Sequence, residues 1–346
     1  MNKQSGLSIV ELMIAMSLSL LLAIGIFQVF TSNQQSARLT QALVQVQDTG
    51  RLSLELMSRD IRNADYWGCA GDISRVSTSI NTLAGGYDSD LHGFGLAAQV
   101  GIRANDNVAA GFQVGGANVR VGTDVLHLRS MASQGLSIAQ SMPSTAANLF
   151  LTDNNDIAEG DILAVSDCQS ADVFQVTNVN VAGGADNVVH NAGGGAGGPV
   201  PGNATGSLSR QYPAGAQILF PTYRAYFIDD NGGDPQLRMW DENGGAPSVL
   251  ADGVQDMQLI FGLDSTGDGV ANQFVTAATI DADAALNFQQ VLSVEVRLVV
   301  ASPQVNVVDT GIAYDWNGGV ALDADDDLGR LRREFTSIAT IRSRLP

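Results

Sequence analysis

Asp264, Thr266 and Asp268 place oxygen-bearing side chains at alternate positions in the run Asp264-Ser265-Thr266-Gly267-Asp268-Gly269-Val270-Ala271-Asn272. Oxygens at that spacing, with glycine following, can wrap a Ca2+ ion. Asp264, Thr266 and Asp268 would supply side-chain oxygens, Val270 a carbonyl and Asn272 one more ligand. A full helix-loop-helix calcium loop carries an acidic residue at its twelfth position, where Val275 stands here. The competing reading is an Asp/Gly turn between strands. The run Asp323, Asp325, Asp326 and Asp327 reads as a solvated acidic loop. His92, His127 and His190 stand apart without metal-ligand spacing, and no Gly-x-Ser-x-Gly elbow or nucleotide fingerprint occurs. The expectation is a protein that is not an enzyme and requires no cofactor, with Ca2+ as the one candidate ligand.

Glu11 poses the sharper chemical question. From Leu7 to Phe30 it is the one ionisable residue in an apolar stretch of about 24 residues, about 36 Å as a helix and enough to span a bilayer. A carboxylate in hydrocarbon is costly unless a cation neutralises it. Lys3 precedes the stretch and Arg38 follows it, which favours a cytoplasmic N-terminus and an exported body. A secretory signal would place its small-residue cleavage site after the apolar run. Here the small residue, Gly6, comes before it. Cleavage after Gly6 would retain the hydrophobic segment and create an α-amine at Leu7, close enough in sequence to pair with Glu11 of the same or a neighbouring subunit.

Composition bounds the rest. The chain has 346 residues and 45% hydrophobic residues, enough for a substantial core. Its 38 glycines and 16% charged residues suit a body of strands and loops better than a helical bundle. A formal net charge of −18 repels phosphate backbones and excludes nucleic-acid binding by the body. Cys69 and Cys168 are too few for a disulfide scaffold or a Cys-only zinc site. In an exported body, one bridge between them is the natural expectation.

Gly6 followed by Leu7-Ser8-Ile9-Val10-Glu11-Leu12-Met13 resembles the type IV prepilin motif. In that family a membrane peptidase cuts after the glycine and methylates the new amine. The resemblance implies processing at Gly6 and Leu7, with Glu11 as the assembly carboxylate. The family's first mature residue is usually Phe or Met, and Leu7 departs from that pattern.

These residues need elements to position them. Leu43, Val46, Gly50, Leu54, Met57 and Ile61 recur at three- and four-residue steps, an amphipathic stripe that extends the helix past the membrane. Gln41, Gln45, Asp48, Ser53 and Arg59 fall on the opposite face, and Gly25 and Gly50 are points where it could bend. The expected organisation is a leader at 1–6, a membrane-spanning half-helix at 7–30, an amphipathic half at 31–64 and a β-rich body at 65–346. Tyr66 and Trp67, beside Cys69, are an aromatic anchor between helix and sheet. Alternating apolar segments at Asp124–Arg129, Asp161–Val165, Val173–Val176, Ala216–Phe220, Arg224–Ile228, Met257–Phe261 and Val291–Val300 read as strands. The Gly-rich stretch 182–206 reads as a surface loop.

The run Arg59-Asp60-Ile61-Arg62-Asn63-Ala64-Asp65-Tyr66-Trp67-Gly68-Cys69 resembles PilW-type minor pilins. So do the segments at 167–174, 222–228, 250–259, 261–264, 291–297 and 331–342, some of which also resemble the J-type pseudopilins of type II secretion. The resemblance implies an α+β, pilin-like fold: a long N-terminal helix, membrane-spanning in its first half, packed on an antiparallel β-rich body. It implies a minor pilin of a low-copy priming or tip complex, supporting pilus biogenesis, twitching motility and adhesion. Its partners would be other minor pilins, the major pilin, a tip adhesin, the inner-membrane assembly platform and the prepilin peptidase. Its location would be the inner membrane with the body in the periplasm, then the pilus at the cell surface. The alternatives are a J-type pseudopilin and a membrane-anchored, calcium-dependent adhesin.

Overall fold

A computed structural model gives the fold and describes residues 8–71, 73–94, 100–152, 157–182, 185–193, 200–241, 245–308 and 329–345. Helix α1 (Ile9–Asn63) runs unbroken for 55 residues, about 82 Å. No proline precedes Pro143, so nothing removes a donor from its ladder. It ends where Ala64 turns to an extended conformation and Asp65 adopts a positive φ of 61°, which reverses the chain onto the body.

The body is built from strands. In chain order they are β1 (Val76–Thr78), β2 (Ile102–Asn105), β3 (Gln113–Val114), β4 (Ala117–Asn118), β5 (Val125–Ser137) and β6 (Leu149–Phe150). Next come β7 (Ile162–Ser166), β8 (Ala171–Gln175), β9 (Asn178–Ala182), β10 (Ala185–Val189), β11 (Gln217–Asp229) and β12 (Gln236–Asp241). The last are β13 (Ser248–Asp252), β14 (Val254–Leu263), β15 (Gln273–Val275), β16 (Val291–Ala301) and β17 (Arg332–Thr340). The largest sheet runs β1-β8-β7-β11-β12-β13, with β5 also on β11 and β2 on β5. A second sheet runs β15-β14-β16-β17 and lies under the outer half of α1. Pairing is antiparallel except between β1 and β8. The fold is α+β, as the sequence implies.

Two expected strands, Ala216–Phe220 and Arg224–Ile228, are one. β11 passes straight through Pro221. On one side it pairs with β5 along most of its length; β7 occupies Gln217–Leu219 and β12 occupies Arg224–Asp229. Pro221 falls in the gap between β7 and β12, where the missing N–H deprives no partner.

Within the stretch 182–206, residues 185–193 and 200–206 are described, and they carry more structure than a surface loop. β10 opens it, and Asn203 is buried with all its polar capacity engaged. Asn203 Oδ1 accepts from the Gln175 amide at 2.8 Å and from Ser79 Oγ at 3.2 Å; Nδ2 donates to the carbonyls of Gln175 and Asn191 at 2.8 and 3.2 Å.

Cys69 and Cys168 form a disulfide across 99 residues of sequence. It ties the segment just after α1 to the β7–β8 turn, and the chain-entropy model assigns such a loop about 4–5 kcal/mol.

Two of the buried carboxylates of the body, Asp124 and Asp256, have raised pKa values. Asp124 accepts from the amides of Asn107 and Leu259, both at 2.8 Å, and burial raises its pKa to about 7. Asp256 accepts from Gln258 Nε2 at 3.1 Å, its other oxygen has no partner, and burial raises its pKa to about 6. Both folded values exceed the unfolded value near 4. The folded chain therefore holds protons that the unfolded chain has released, and stability falls as pH rises from about 4 to about 7. Asp256→Asn removes its share of that fall. Relative to wild type, the variant should gain about 1–2 kcal/mol between about pH 4.5 and 7.5. Denaturant melts of the full chain at both pH values check this; parallel pH profiles would contradict it.

Candidate assembly interface

Among the described residues the first half of α1 has no packing partner. Ile9 to Phe30 is exposed throughout, with Ile9 at 77% and Leu22 at 69% of their full accessibility. The helix is apolar and long enough to cross a membrane. Its hydroxyls are turned inward on its own backbone: Ser17 Oγ donates to the Met13 carbonyl at 2.8 Å and Ser19 Oγ to Met16 at 2.9 Å. That satisfies polar groups that hydrocarbon would not.

Gly6 and Leu7 lie outside the described residues; Glu11 lies within them. The Glu11 carboxylate accepts from the Ser8 backbone amide at 3.2 Å, while Ser8 Oγ accepts from the Val10 amide at 3.3 Å. This is a capping box, and it gives Glu11 a use at the helix start besides its expected pairing with an amine. The signal was present in the sequence as Ser8-Ile9-Val10-Glu11, a Ser-x-x-Glu step before an apolar run.

The second half of α1 is seated on β16 and β17. Val46, Gly50, Leu54, Met57 and Ile61 are buried as the stripe predicts, and Leu43 is half-buried. Ser53 is buried rather than solvent-facing, because it sits three residues after Gly50 and one before Leu54 on the covered face. Gly50 is a close-approach site: a Cβ there would meet the Phe335 ring of β17 at 2.4 Å. About two turns further along α1, Ser58 Oγ and Ser337 Oγ share a hydrogen bond of 3.2 Å.

Charged residues fasten the outer end. Asp60 is buried in the final turns, where its carboxylate binds Arg224 and accepts from the Tyr226 hydroxyl. Burial, with Asp60 beside it, pushes the Tyr226 phenol well above its usual range, so it stays a donor. Asp65 gathers three segments. Its Oδ1 accepts from Trp67 Nε1 at 2.8 Å and the Gly101 amide at 2.9 Å; its Oδ2 pairs with Arg344 Nε at 2.6 Å. Arg344 also donates to the carbonyls of Phe288 and Val291, and Ser343 Oγ donates to the Ala64 carbonyl at 3.0 Å. The C-terminal segment is thereby closed back onto the helix end. Of the expected aromatic anchor, Trp67 is buried at 1% exposure, whereas Tyr66 is 43% exposed.

The other candidate residues fall elsewhere. Asp264, Thr266, Asp268, Val270 and Asn272 lie in an exposed turn between β14 and β15. Asp264 Oδ1 accepts from the amides of Thr266, Gly267 and Asp268, and Oδ2 from that of Gly269. Desolvation opposes its ionisation, but the amides of Gly269, Gly267 and Asp268 and the Thr266 hydroxyl outweigh it and hold the carboxyl below its usual range. Asn272 Oδ1 accepts from Ser265 and its Nδ2 donates to Thr266 Oγ1. These bonds make the run a self-satisfied Asx turn. Among the described residues no three His, Cys, Asp or Glu side chains are gathered as a metal site. The run 323–327 lies outside them. His127 is buried between Tyr223 Oη at 2.7 Å and Asn105 Oδ1 at 2.9 Å, and burial lowers its pKa to about 3. It is a neutral structural group: Nε2–H donates to Asn105 and Nδ1 accepts from Tyr223.

Two family models match the chain. Residues 1–27 match the prokaryotic N-terminal methylation motif, and residues 225–343 match Type IV Pilus-assembly protein W. Over these two segments the chain is similar to type IV pilins of the PilW family. No curated protein and no solved structure matches it significantly. The PilW match runs from the second half of β11 to Ser343, so it takes in the whole sheet beneath α1 and most of the C-terminal closure. The methylation motif and the apolar half of α1 anchor the chain in the inner membrane, from which pili assemble at the cell surface.

Two substitutions test the seat. Gly50→Ala gains up to about 1 kcal/mol of helix propensity but forces a methyl into the Phe335 ring, for a net loss of about 1–2 kcal/mol. Asp60→Ala removes an acceptor from a buried phenol and a half-exposed guanidinium, for a loss of about 2–3 kcal/mol. Both are read by denaturant unfolding of the full chain in detergent. An unchanged midpoint for Gly50→Ala would show that the ring moves aside freely.

Proposed function

We propose that this chain is a minor pilin of a low-copy tip or priming complex, which takes part in type IV pilus assembly and through it in twitching motility and adhesion. The observation that carries the reading is a continuous α1 whose apolar half is bare while its other half is seated on the sheet matched to the PilW family. A bare apolar half can lie in a bilayer and then among the like helices of a filament without refolding, since both surroundings are apolar. Other minor pilins, the major pilin, a tip adhesin and the assembly platform are the partners this reading names.

Processing follows the same logic. Cleavage at Gly6–Leu7 would free an amine one residue before Ser8, whose amide Glu11 already accepts. On this reading the carboxylate would take the Leu7 amine of its own chain before assembly or that of a neighbour afterwards. Either pairing neutralises Glu11 within the apolar layer.

The test is surface pili recovered by shearing from a deletion strain carrying either the wild-type gene or Glu11→Ala. Wild type should restore pili, and Glu11→Ala should restore few or none while the protein remains in the membrane fraction. Unchanged piliation on deletion would overturn the proposal and make loss of type II secretion the next thing to measure.

A further inference from the structure

A cleft of about 360 Å³ opens at the end of α1 farthest from the membrane, between the last helical turn, β5, β11 and the C-terminal segment. Leu128 lines it on the α1 side of the sheet, beside Ser130, Ala132 and Thr222. Three arginines line it: Arg62 from the helix, Arg224 from β11 and Arg342 from the C-terminal segment. Its carboxylate, Asp60, is already engaged by Arg224, Tyr226 and Arg59. Arg62 and Arg342 are exposed, and neither side chain has an ion-pair or hydrogen-bond partner among the described residues.

A single exposed arginine is ordinarily a solvated one. What sets this place apart is convergence. Three distant parts of a chain with net charge −18 bring three cations and one carboxylate into one concavity. The partial negative charge at the helix C-terminus would by itself disfavour an anion; the two unpaired guanidiniums outweigh that fraction of a charge. We propose that this cleft is a docking site for an extended acidic segment of a different pilus subunit, with carboxylates on Arg62 and Arg342.

Charge complementarity and position select this occupant. Guanidinium forks match carboxylates. The cleft has room for a few side chains rather than a folded domain. The membrane holding the first half of α1 lies at the other end of a helix about 82 Å long, so lipid headgroups of that bilayer are out of reach. The strongly acidic body repels long polyanions but leaves this local patch attractive to a short acidic segment. The cleft's place in a filament rests on the pilus reading. Its binding chemistry does not, so a purified-protein assay tests the two separately.

The experiment uses the full chain in a nonionic detergent and a fluorescein-labelled peptide of alternating Glu and Val residues, read by fluorescence anisotropy. The expected result is saturable binding that weakens with added salt. Arg62→Glu combined with Arg342→Glu should weaken it about tenfold. Arg51→Glu, on an exposed helix position outside the cleft, should leave it unchanged. Near-UV circular dichroism confirms that each variant keeps its fold. Four results would overturn the proposal: no saturable binding, equal binding by the double variant, equal binding of a Lys–Val peptide, or displacement of the Glu–Val peptide by phosphatidylglycerol vesicles. Self-association of the wild-type chain lost in the double variant would replace the proposed partner with a second copy.

Discussion

A single helix here has to live in two solvents. Its first 22 residues are apolar on every side and bare, so water is the one medium they cannot occupy. The remainder is amphipathic and covered on one face by β16, β17 and the loops beside them. The body cannot fold over to shield the apolar half, because its own sheets are already packed into separate cores. The exposed half must therefore be covered by lipid or by other helices. Lipid meets that requirement in the membrane, and like helices would meet it in the proposed filament.

The hold is tightest at the far end. The stripe from Val46 to Ile61 supplies apolar burial, but burial alone would tolerate sliding along or rotation about the helix axis. Gly50 under Phe335 admits one close approach, and Asp60 and Asp65 bind partners from strands and the C-terminal segment at fixed positions. Buried ionic contacts of this kind contribute little net stability when compared with apolar replacements. They are well suited to setting register, since any shift would leave a buried carboxylate without its donors. The disulfide from Cys69 to Cys168 extends the same fixation into the large sheet.

Electrostatics across the molecule are uneven in a way that follows from this hold. The chain carries a net charge of −18, while Arg330, Arg332, Arg333, Arg342 and Arg344 crowd its last residues. Arg344 is used to close the C-terminal segment onto Asp65. Arg342, two residues away, faces the neighbouring cleft instead.

The N-terminal third was legible because its signals are local. An apolar run broken by one carboxylate, a small residue before it and a three-to-four-residue stripe after it depend on neighbours along the chain. Helices satisfy their backbone within those same neighbours, so the predicted helix and the observed one nearly coincide. Even there, the capping use of Glu11 was written in Ser8-Ile9-Val10-Glu11 and is a sequence-level feature. The body was legible as a class, strands with Gly- and Asn-rich turns, and in the pairing of its two cysteines. It was not legible in detail, because a strand's role depends on what lies beside it. Pro221 marks a break in the sequence yet sits inside β11, since the gap between β7 and β12 removes the need for its missing N–H. Asn203 belongs to a stretch with the composition of a loop, yet four hydrogen bonds from three segments bury it. Asp60, Asp65 and the arginine cleft likewise join residues separated by well over a hundred positions, and no local pattern carries the energy of a contact that exists once those segments have met.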